Sequence, residues 1–230
     1  MAATEHNKGL VTRQFYSVAN DPVNHNRVYG GQQDNGTIYR SDAGGTSWSS
    51  FSGGDGFACA VVPTTPSIAF STIQNGVVLR TVTAGSLYRV VERTPPYEKD
   101  ELTPFYSSNE VDPQTVSTIY TASYRVWKST TEGDGWVPLP TKLTGGAVWP
   151  ADAYIRVIAI AKKDPRVMMV ATGSPRRKIY RTTNGGSIWS DVTSNLPPGR
   201  PLLKIDLDPH GLQHSFAARA APPGPSAHRT

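Results

Sequence analysis

Asp55 is the acidic residue whose sequence context best fits a chemical role. It lies in Gly53-Gly54-Asp55-Gly56-Phe57, on a connection that leads into a predicted β-strand. Hydrolysis of a glycosidic bond requires two carboxylates that face one cleft, roughly 5–10 Å apart. No second carboxylate stands in a matching place, and a turn aspartate among glycines is the competing interpretation. The catalytic residues therefore stay unknown from the sequence, with Asp55 as the candidate.

Other charged residues do not complete a catalytic set. The run Glu98-Lys99-Asp100-Glu101 is interpreted as a solvated loop. Sialidase-type catalysis requires three arginines that clamp a carboxylate, together with a tyrosine activated by a glutamate. Arginines are plentiful, among them Arg13, Arg125 and Arg156, but no context marks three of them as convergent.

A second polar cluster is Gln32-Gln33-Asp34, which is followed by Asn35-Gly36. Asn-Gly favours a type I′ β-hairpin, in which both residues have positive φ. The structural interpretation of this cluster is therefore a hairpin. The alternative is that Gln32, Gln33 and Asp34 line a central cavity and bind a ligand.

Composition argues against several kinds of site and partner. The five histidines are scattered or terminal and show no metal-ligand spacing, so we expect no metal and no cofactor. The single cysteine, Cys59, rules out an intrachain disulfide. The net charge of +5 includes 23 dispersed Lys and Arg residues, which argues against nucleic-acid binding. No run approaches the ~20 apolar residues of a membrane span.

A nine-residue pattern that occurs four times predicts the elements that position these residues. Each copy has a cation first, a Ser or Thr second, a Gly sixth and an aromatic ninth. The copies recur at intervals of roughly 40–50 residues, which is typical of propellers and solenoids. The second, sixth and ninth residues are Ser41, Gly45 and Trp48, then Thr81, Gly85 and Tyr88, then Ser129, Gly133 and Trp136, and finally Thr182, Gly186 and Trp189.

Short β-branched and aromatic runs surround each copy and predict four strands per repeat. Four antiparallel strands in a repeat of this length make a propeller blade, because one small sheet cannot bury its faces alone. The predicted fold is an all-β propeller of four-stranded antiparallel blades, as an incomplete ring of four blades and part of a fifth. Residues 1–211 form this partial propeller, and residues 212–230 are expected to be a disordered or non-native tail.

The nonapeptide is expected to connect the third strand of each blade to the fourth. Its Gly supplies the positive φ of a tight hairpin, and its Ser or Thr hydroxyl caps backbone N–H groups. The four aromatics, Trp48, Tyr88, Trp136 and Trp189, should occupy equivalent positions and be largely buried.

The nonapeptides resemble the Asp-box, or bacterial neuraminidase repeat, whose usual form is Ser-x-Asp-x-Gly-x-x-Trp. The defining Asp place is held by Ala43, Thr83, Thr131 and Asn184, so these boxes are degenerate. The resemblance covers roughly residues 10–211. It implies membership of the superfamily of sialidase-like and sortilin-type propellers, which also includes xyloglucanases and photosystem assembly factors.

Three further segments resemble large bacterial proteins of this superfamily that are often labelled glycosyl hydrolases. These segments are Gly9–Tyr16, Tyr29–Thr37 and Gly53–Phe57. The resemblance implies a secreted, periplasmic or cell-surface location. Xyloglucanase-type enzymes are similar in having an Asp in a Gly-rich, Phe-flanked loop, which is the context of Asp55.

The sequence therefore favours a binding or scaffold module of a larger sialidase-like or sortilin-like protein. Its expected partners are a carbohydrate or protein ligand and the remaining blades of that larger protein. The alternative is a glycoside hydrolase-like enzyme fragment, with part of its carboxylate set outside this chain.

Overall fold

The protein is described from a computed structural model, which covers residues 13–40, 47–62, 65, 68–81, 89–115, 117–194, 202–207 and 215–219. Within these ranges the chain forms short β-strands and one 3-10 helix, Gln74–Gly76. The strands are β1 (Phe15–Asn20), β2 (Val28–Gln32), β3 (Thr37–Arg40), β4 (Trp48–Ser50), β5 (Cys59–Val61), β6 (Ala69–Thr72), β7 (Val78–Thr81), β8 (Val90–Glu92), β9 (Asn109–Val111), β10 (Ile119–Ala122), β11 (Val126–Ser129), β12 (Val137–Pro138), β13 (Ile155–Ile160), β14 (Met168–Thr172), β15 (Ile179–Thr182), β16 (Ser190–Asp191), β17 (Leu202–Leu207) and β18 (Ser215–Arg219).

Each set of four consecutive strands forms one antiparallel sheet. We call β1–β4 blade 1, β5–β8 blade 2, β9–β12 blade 3 and β13–β16 blade 4. The pair β17–β18 forms a two-stranded sheet, blade 5. The predicted fold class is confirmed, because four four-stranded antiparallel sheets are arranged as the blades of a β-propeller.

Residues 215–219 lie within the segment that the sequence analysis assigned to a tail, and they form β18. Their backbone pairs antiparallel with β17, from Leu207 opposite Ser215 to Leu202 opposite Arg219. Blade 5 therefore has a second strand in addition to its inner one.

Strand periodicity of two residues explains how the blades pack on one another. On β14, Met168 and Val170 face blade 3, where they join a buried cluster with Tyr120 and Val126. The alternate residues Met169 and Ala171 pack with residues of blade 5 instead. Blade 4 therefore buries both faces, as a propeller blade with two neighbours must.

The connections between third and fourth strands have a common geometry where the structure describes them. In blade 3, Ser129 Oγ accepts a hydrogen bond of 2.8 Å from the Gly133 N–H, and Gly133 has a φ of 89°. In blade 4, Thr182 Oγ1 accepts a hydrogen bond of 3.1 Å from the Gly186 N–H, and Gly186 has a φ of 86°. Both turns thus use the hydroxyl to satisfy a backbone donor. In blades 1 and 2, Ser41, Gly45, Gly85 and Tyr88 lie outside the described residues, whereas Thr81 ends β7.

The tryptophans of these turns face the preceding blade. Trp189 is 0 % exposed, and its Nε1 donates to the carbonyl oxygen of Pro140, in the connection that follows blade 3. Trp136 is half-buried, and its Nε1 donates to the carbonyl oxygen of Arg93, after blade 2. Each tryptophan therefore stabilises the packing of one blade on the one before it.

Trp48 departs from the prediction that all four aromatics are largely buried. It pairs with Arg40 across the sheet, and its side chain is 42 % exposed. The face of blade 1 that carries Trp48 also carries Val18, which is 61 % exposed. The prediction was wrong for Trp48 because, in the described part of the chain, no blade covers this face.

Candidate functional site: an aromatic pocket at the mouth of the channel

The first strands of the five blades, β1, β5, β9, β13 and β17, surround a central cavity of about 490 Å³, which we call the channel. These inner strands all begin at one end of the propeller. That end also carries the hairpins between second and third strands, because alternate strands of an antiparallel blade run in the same direction. We call this end the loop face.

An aromatic pocket of about 430 Å³ lies where the inner strands begin. Its lining shares Tyr16, Tyr106 and Arg156 with the lining of the channel, so the two cavities adjoin. The residues that line it are Phe15, Tyr16, Phe57, Phe105, Tyr106, Tyr154 and Arg156.

Phe57 lies at the centre of the aromatic cluster. Its ring centroid is 5.1 Å from that of Tyr16, 5.1 Å from that of Tyr106 and 5.3 Å from that of Phe105. Phe57 itself is 1 % exposed, whereas Phe105 is 57 % exposed. The cluster is thus buried at its base and exposes aromatic surface at its rim.

Two β-bulges direct side chains into this pocket. The register of β1 against β2 shifts between Phe15 and Ser17, which makes Tyr16 the bulged residue. The register of β13 against β14 shifts between Ile155 and Val157, which makes Arg156 the bulged residue. Bulges commonly re-aim a side chain beside a functional site. Here they bring one tyrosine and one arginine to the pocket.

Tyr106 supplies a polar group to the aromatic pocket. Burial raises the pKa of Tyr106, while the nearby charge of Arg156 opposes this shift. The phenol therefore remains protonated at neutral pH and is available as a hydrogen-bond donor and acceptor.

Glu110 is the notable titratable group of the channel. It lies on β9 and is half-buried. Burial raises its pKa to about 7; the positive charge of Lys204 opposes the shift, and the negative charge of Asp206 adds to it. Lys204 and Asp206 form an ion pair of 3.1 Å. The neighbouring Asn109 is 2 % exposed, and within the described ranges neither its side-chain oxygen nor its side-chain nitrogen has a hydrogen-bond partner.

Asp55 lies on the loop face, outside the aromatic pocket. Its Oδ1 accepts a hydrogen bond of 2.8 Å from the Asp34 N–H, and its Oδ2 accepts a second hydrogen bond of 2.8 Å from Gln74 Nε2. Asp34 belongs to the hairpin of blade 1 and Gln74 to that of blade 2. The Asp55 carboxylate thus links the hairpins of blades 1 and 2, with one oxygen bonded to each.

Carboxylates on the next two inter-blade connections make equivalent contacts. Glu101, between blades 2 and 3, accepts a hydrogen bond of 3.1 Å from Nη2 of Arg125, which lies in the hairpin of blade 3. Asp152, between blades 3 and 4, accepts from Arg176 NH2 at 2.7 Å in the hairpin of blade 4. In each of these three connections, at least one acidic residue therefore links the loop to the hairpin of the following blade.

The interpretation of Glu98–Glu101 as a solvated loop was wrong for Glu101. Its side chain is 0 % exposed and also accepts hydrogen bonds from Ser123 and from Trp127 Nε1. Burial by itself would raise the pKa of Glu101, but the hydrogen bonds, those from Arg125 and Ser123 foremost, hold it below the ordinary value. The charge is stabilised because it is fully paired.

The cluster Gln32-Gln33-Asp34 adjoins Asp55. Gln32 is 0 % exposed, and its Oε1 accepts a hydrogen bond of 3.0 Å from Arg13 Nη1. Its Nε2 is buried and has no hydrogen-bond partner among the described residues. Gln33 is half-buried and Asp34 is exposed. The expected type I′ turn at Asn35-Gly36 does not form, because positive φ falls at Asp34, 59°, and Gly36, 63°. The hydrogen bond from Asp34 to Asp55 holds this different turn.

The structure therefore joins Asp34 to Asp55 and places Gln32 beside them, but none of these residues lines the aromatic pocket. The residues that line the pocket were not among the predicted site residues. The signal was an aromatic shortly before, or at the start of, each of four inner strands: Phe15 and Tyr16, Phe57, Phe105 and Tyr106, and Tyr154.

Neither a metal-binding cluster nor a membrane-spanning helix occurs in the described ranges. There, no group of three or more His, Cys, Asp or Glu residues is placed to hold a metal ion. In the same ranges, no helix is long and apolar enough to cross a membrane.

Comparisons with known proteins give similarity in structure only. No family model matches the sequence, and no curated protein matches it. An ancestral GH74 enzyme is 17 % identical with a TM-score of 0.67, over 86 % of this chain and 28 % of that chain. The GH74 xyloglucanase from Xanthomonas campestris is 14 % identical with a TM-score of 0.61, over 87 % of this chain and 34 % of that chain.

A propeller described as YCF48 bound to D1 peptide is 10 % identical with a TM-score of 0.58, over 92 % of this chain and 63 % of that chain. The chain thus spans about a third or less of the GH74 enzymes that it resembles. At these identities the likeness shows the fold alone. The chain has the β-propeller fold, with GH74 enzymes and YCF48 among its structural neighbours.

Proposed function

We propose that this propeller is a binding module whose aromatic pocket takes a carbohydrate. The observation that carries the proposal is the pocket itself, with its open aromatic surface and its few polar groups. A sugar ring has apolar C–H faces that pack on aromatic rings and hydroxyl groups that bond to phenols and guanidinium groups. Pockets of this size, with an apolar lining and few polar groups, are typical of small-ligand sites.

The structural neighbours support a sugar rather than a protein ligand. The neighbours with the higher TM-scores are GH74 enzymes, one of which is a xyloglucanase. The peptide-bound neighbour, YCF48, keeps a protein ligand as the competing choice. The uncovered face of blade 1 supports the further proposal that the module works beside other blades, as part of a larger sialidase-like or sortilin-like protein.

The test is binding to polysaccharides by affinity electrophoresis and calorimetry, with xyloglucan and cello-oligosaccharides as probes. Phe105→Ala should weaken binding at least tenfold, because it removes exposed stacking surface from the pocket. Trp48→Ala is the matched control, since it removes an exposed aromatic from blade 1 outside the pocket lining. Absence of binding by the parent, or equal loss in both variants, would contradict the proposal and favour a protein ligand.

We infer that the module binds without hydrolysing its ligand. A glycosidase requires a carboxylic acid of raised pKa as proton donor. Glu110, whose pKa is raised, lines the channel and not the aromatic pocket. On the loop face, hydrogen bonds hold the pKa of Glu101 and of Asp152 low, and both oxygens of Asp55 already accept hydrogen bonds. Incubation of the parent and of Asp55→Asn with the same polysaccharides should release no reducing ends. Turnover that disappears in the variant would establish the hydrolase alternative.

A further inference from the structure

Arg156 is the one charged side chain among the described residues that line the aromatic pocket. It is half-buried, and the bulge in β13 places it where the pocket meets the channel. Its guanidinium carbon lies 5.8 Å from the centroid of the Tyr106 ring. The pocket therefore has a positive charge at its base.

This guanidinium has no counter-ion among the described residues. Elsewhere, several arginines of blades 1 to 4 form ion pairs: Arg27 with Asp21 at 3.1 Å and Arg125 with Glu101 at 3.1 Å are examples. No carboxylate within the described ranges lies within 4.0 Å of Arg156, and no hydrogen bond to its guanidinium is formed there. Its ring contact with Tyr106 satisfies none of its five N–H donors.

A half-buried cation without a counter-ion is costly, and an anion that enters the same pocket removes this cost. The planar guanidinium matches a carboxylate in bidentate geometry, which adds orientation to attraction. A second cation does not line the pocket in the described part of the chain, so the three-arginine clamp of sialidases is not what the pocket presents. One guanidinium beside aromatic rings fits one carboxylate on a sugar ring.

We propose that the aromatic pocket selects a saccharide that carries a carboxylate, such as a uronic acid residue. This inference rests on the proposed carbohydrate-binding function. The sugar ring packs on Phe105 and Tyr16 while its carboxylate accepts two hydrogen bonds from Arg156. The selectivity comes from Arg156, and the basal affinity comes from the aromatic rings.

The test compares two matched probes by calorimetry, a trimer of β-1,4-linked glucose and a trimer of β-1,4-linked glucuronic acid. The parent should bind the acidic trimer at least tenfold more tightly at low ionic strength, with a smaller preference in 0.5 M salt. Arg156→Gln should lose the preference and bind the two trimers with equal affinity. Arg156→Lys should recover part of the preference, because it restores charge without the bidentate fork.

Arg166→Gln is the control variant, since Arg166 is an exposed arginine of blade 4 outside the pocket. It should behave as the parent does. Equal binding of both trimers by the parent would overturn the selectivity while leaving the proposed function intact. No binding of either trimer would instead contradict the proposed function. Tighter binding of an acidic peptide than of the acidic trimer would replace the saccharide with a protein ligand. A loss of both trimers in Arg156→Gln, together with a lower Tm, would assign Arg156 a structural role.

Discussion

Glu110 shows how one residue changes the character of the channel. In blades 1 to 4 a backbone N–H closes the hairpin between the first and second strands. Two residues before this N–H, on the inner strand, lies Ala19 in blade 1, Ala60 in blade 2 and Ala159 in blade 4. In blade 3 it is Glu110. A carboxylate thus stands where blades 1, 2 and 4 have a methyl group, and burial raises its pKa to about 7.

This shift predicts a pH dependence of stability. Between about pH 4.5 and 7 the folded protein keeps the Glu110 proton while the unfolded chain loses it, so the free energy of unfolding falls as pH rises through this window. Above pH 7 the free energy of unfolding falls no further on account of Glu110, because its carboxyl is ionised in both states. Glu110→Gln should therefore be more stable than the parent by about 2–3 kcal/mol at pH 8, and equal to it near pH 4.

Urea denaturation at several pH values measures this difference. Glu92→Gln, an exposed glutamate on β8, is the control and should follow the parent at every pH. A constant difference between Glu110→Gln and the parent from pH 4 to pH 8 would show that Glu110 has no raised pKa.

At the level of elements, the turn between third and fourth strands joins neighbouring blades. The tryptophan at this place in the repeat is buried where a preceding blade covers it, as for Trp189. It is exposed where no described blade covers it, as for Trp48. The contribution of this turn to stability therefore depends on position in the array, as nearest-neighbour packing in repeat proteins requires.

The two tryptophans should differ in what their removal costs. Trp189→Ala creates a cavity between blades 3 and 4 and leaves the Pro140 carbonyl without its donor, so it should destabilise by about 3–5 kcal/mol. Trp48→Ala should cost less than about 1 kcal/mol, because the side chain is already in contact with water. Chemical denaturation monitored by circular dichroism gives both values. Equal costs would show that the turns do not join blades.

For the whole molecule, the two ends of the array differ. The uncovered face of blade 1 carries Val18 and Trp48, which are largely apolar and exposed. Blade 5 exposes Lys204 and Asp206 on its inner strand. Among the side chains that the structure describes, the apolar patch on blade 1 and the charged pair on blade 5 favour association through blade 1 rather than through blade 5.

This asymmetry predicts the binding of a hydrophobic dye. The double variant Val18→Thr/Trp48→Ser should lower the fluorescence of bound ANS at least twofold without lowering Tm by more than about 2 °C, because it removes exposed rather than buried apolar surface. Lys204→Ser/Asp206→Ser on blade 5 is the control and should leave the fluorescence unchanged. Unchanged fluorescence in the blade 1 variant would place the apolar surface elsewhere.

The blade architecture could be predicted from the amino-acid sequence, because a blade is specified by residues that are close together in the chain. Short alternating runs and glycines at hairpin positions are features of residues close together in the chain, and they predicted the four antiparallel sheets. The Glu98–Glu101 run shows the limit of such reasoning. Its charges indicated a solvated loop, yet Glu101 is buried since Arg125, 24 residues away, comes to pair with it.

The aromatic pocket and the burial of each tryptophan depend on how the blades pack on one another, which the sequence pattern does not specify. Tyr16, Phe57, Tyr106 and Arg156 meet because the inner strands of four blades begin around one axis, and no local pattern encodes that convergence. Trp48 and Trp189 have the same place in the repeat but different exposure, because burial depends on a neighbouring blade rather than on the turn itself. Local chemistry specifies a blade, whereas long-range packing creates the site between blades.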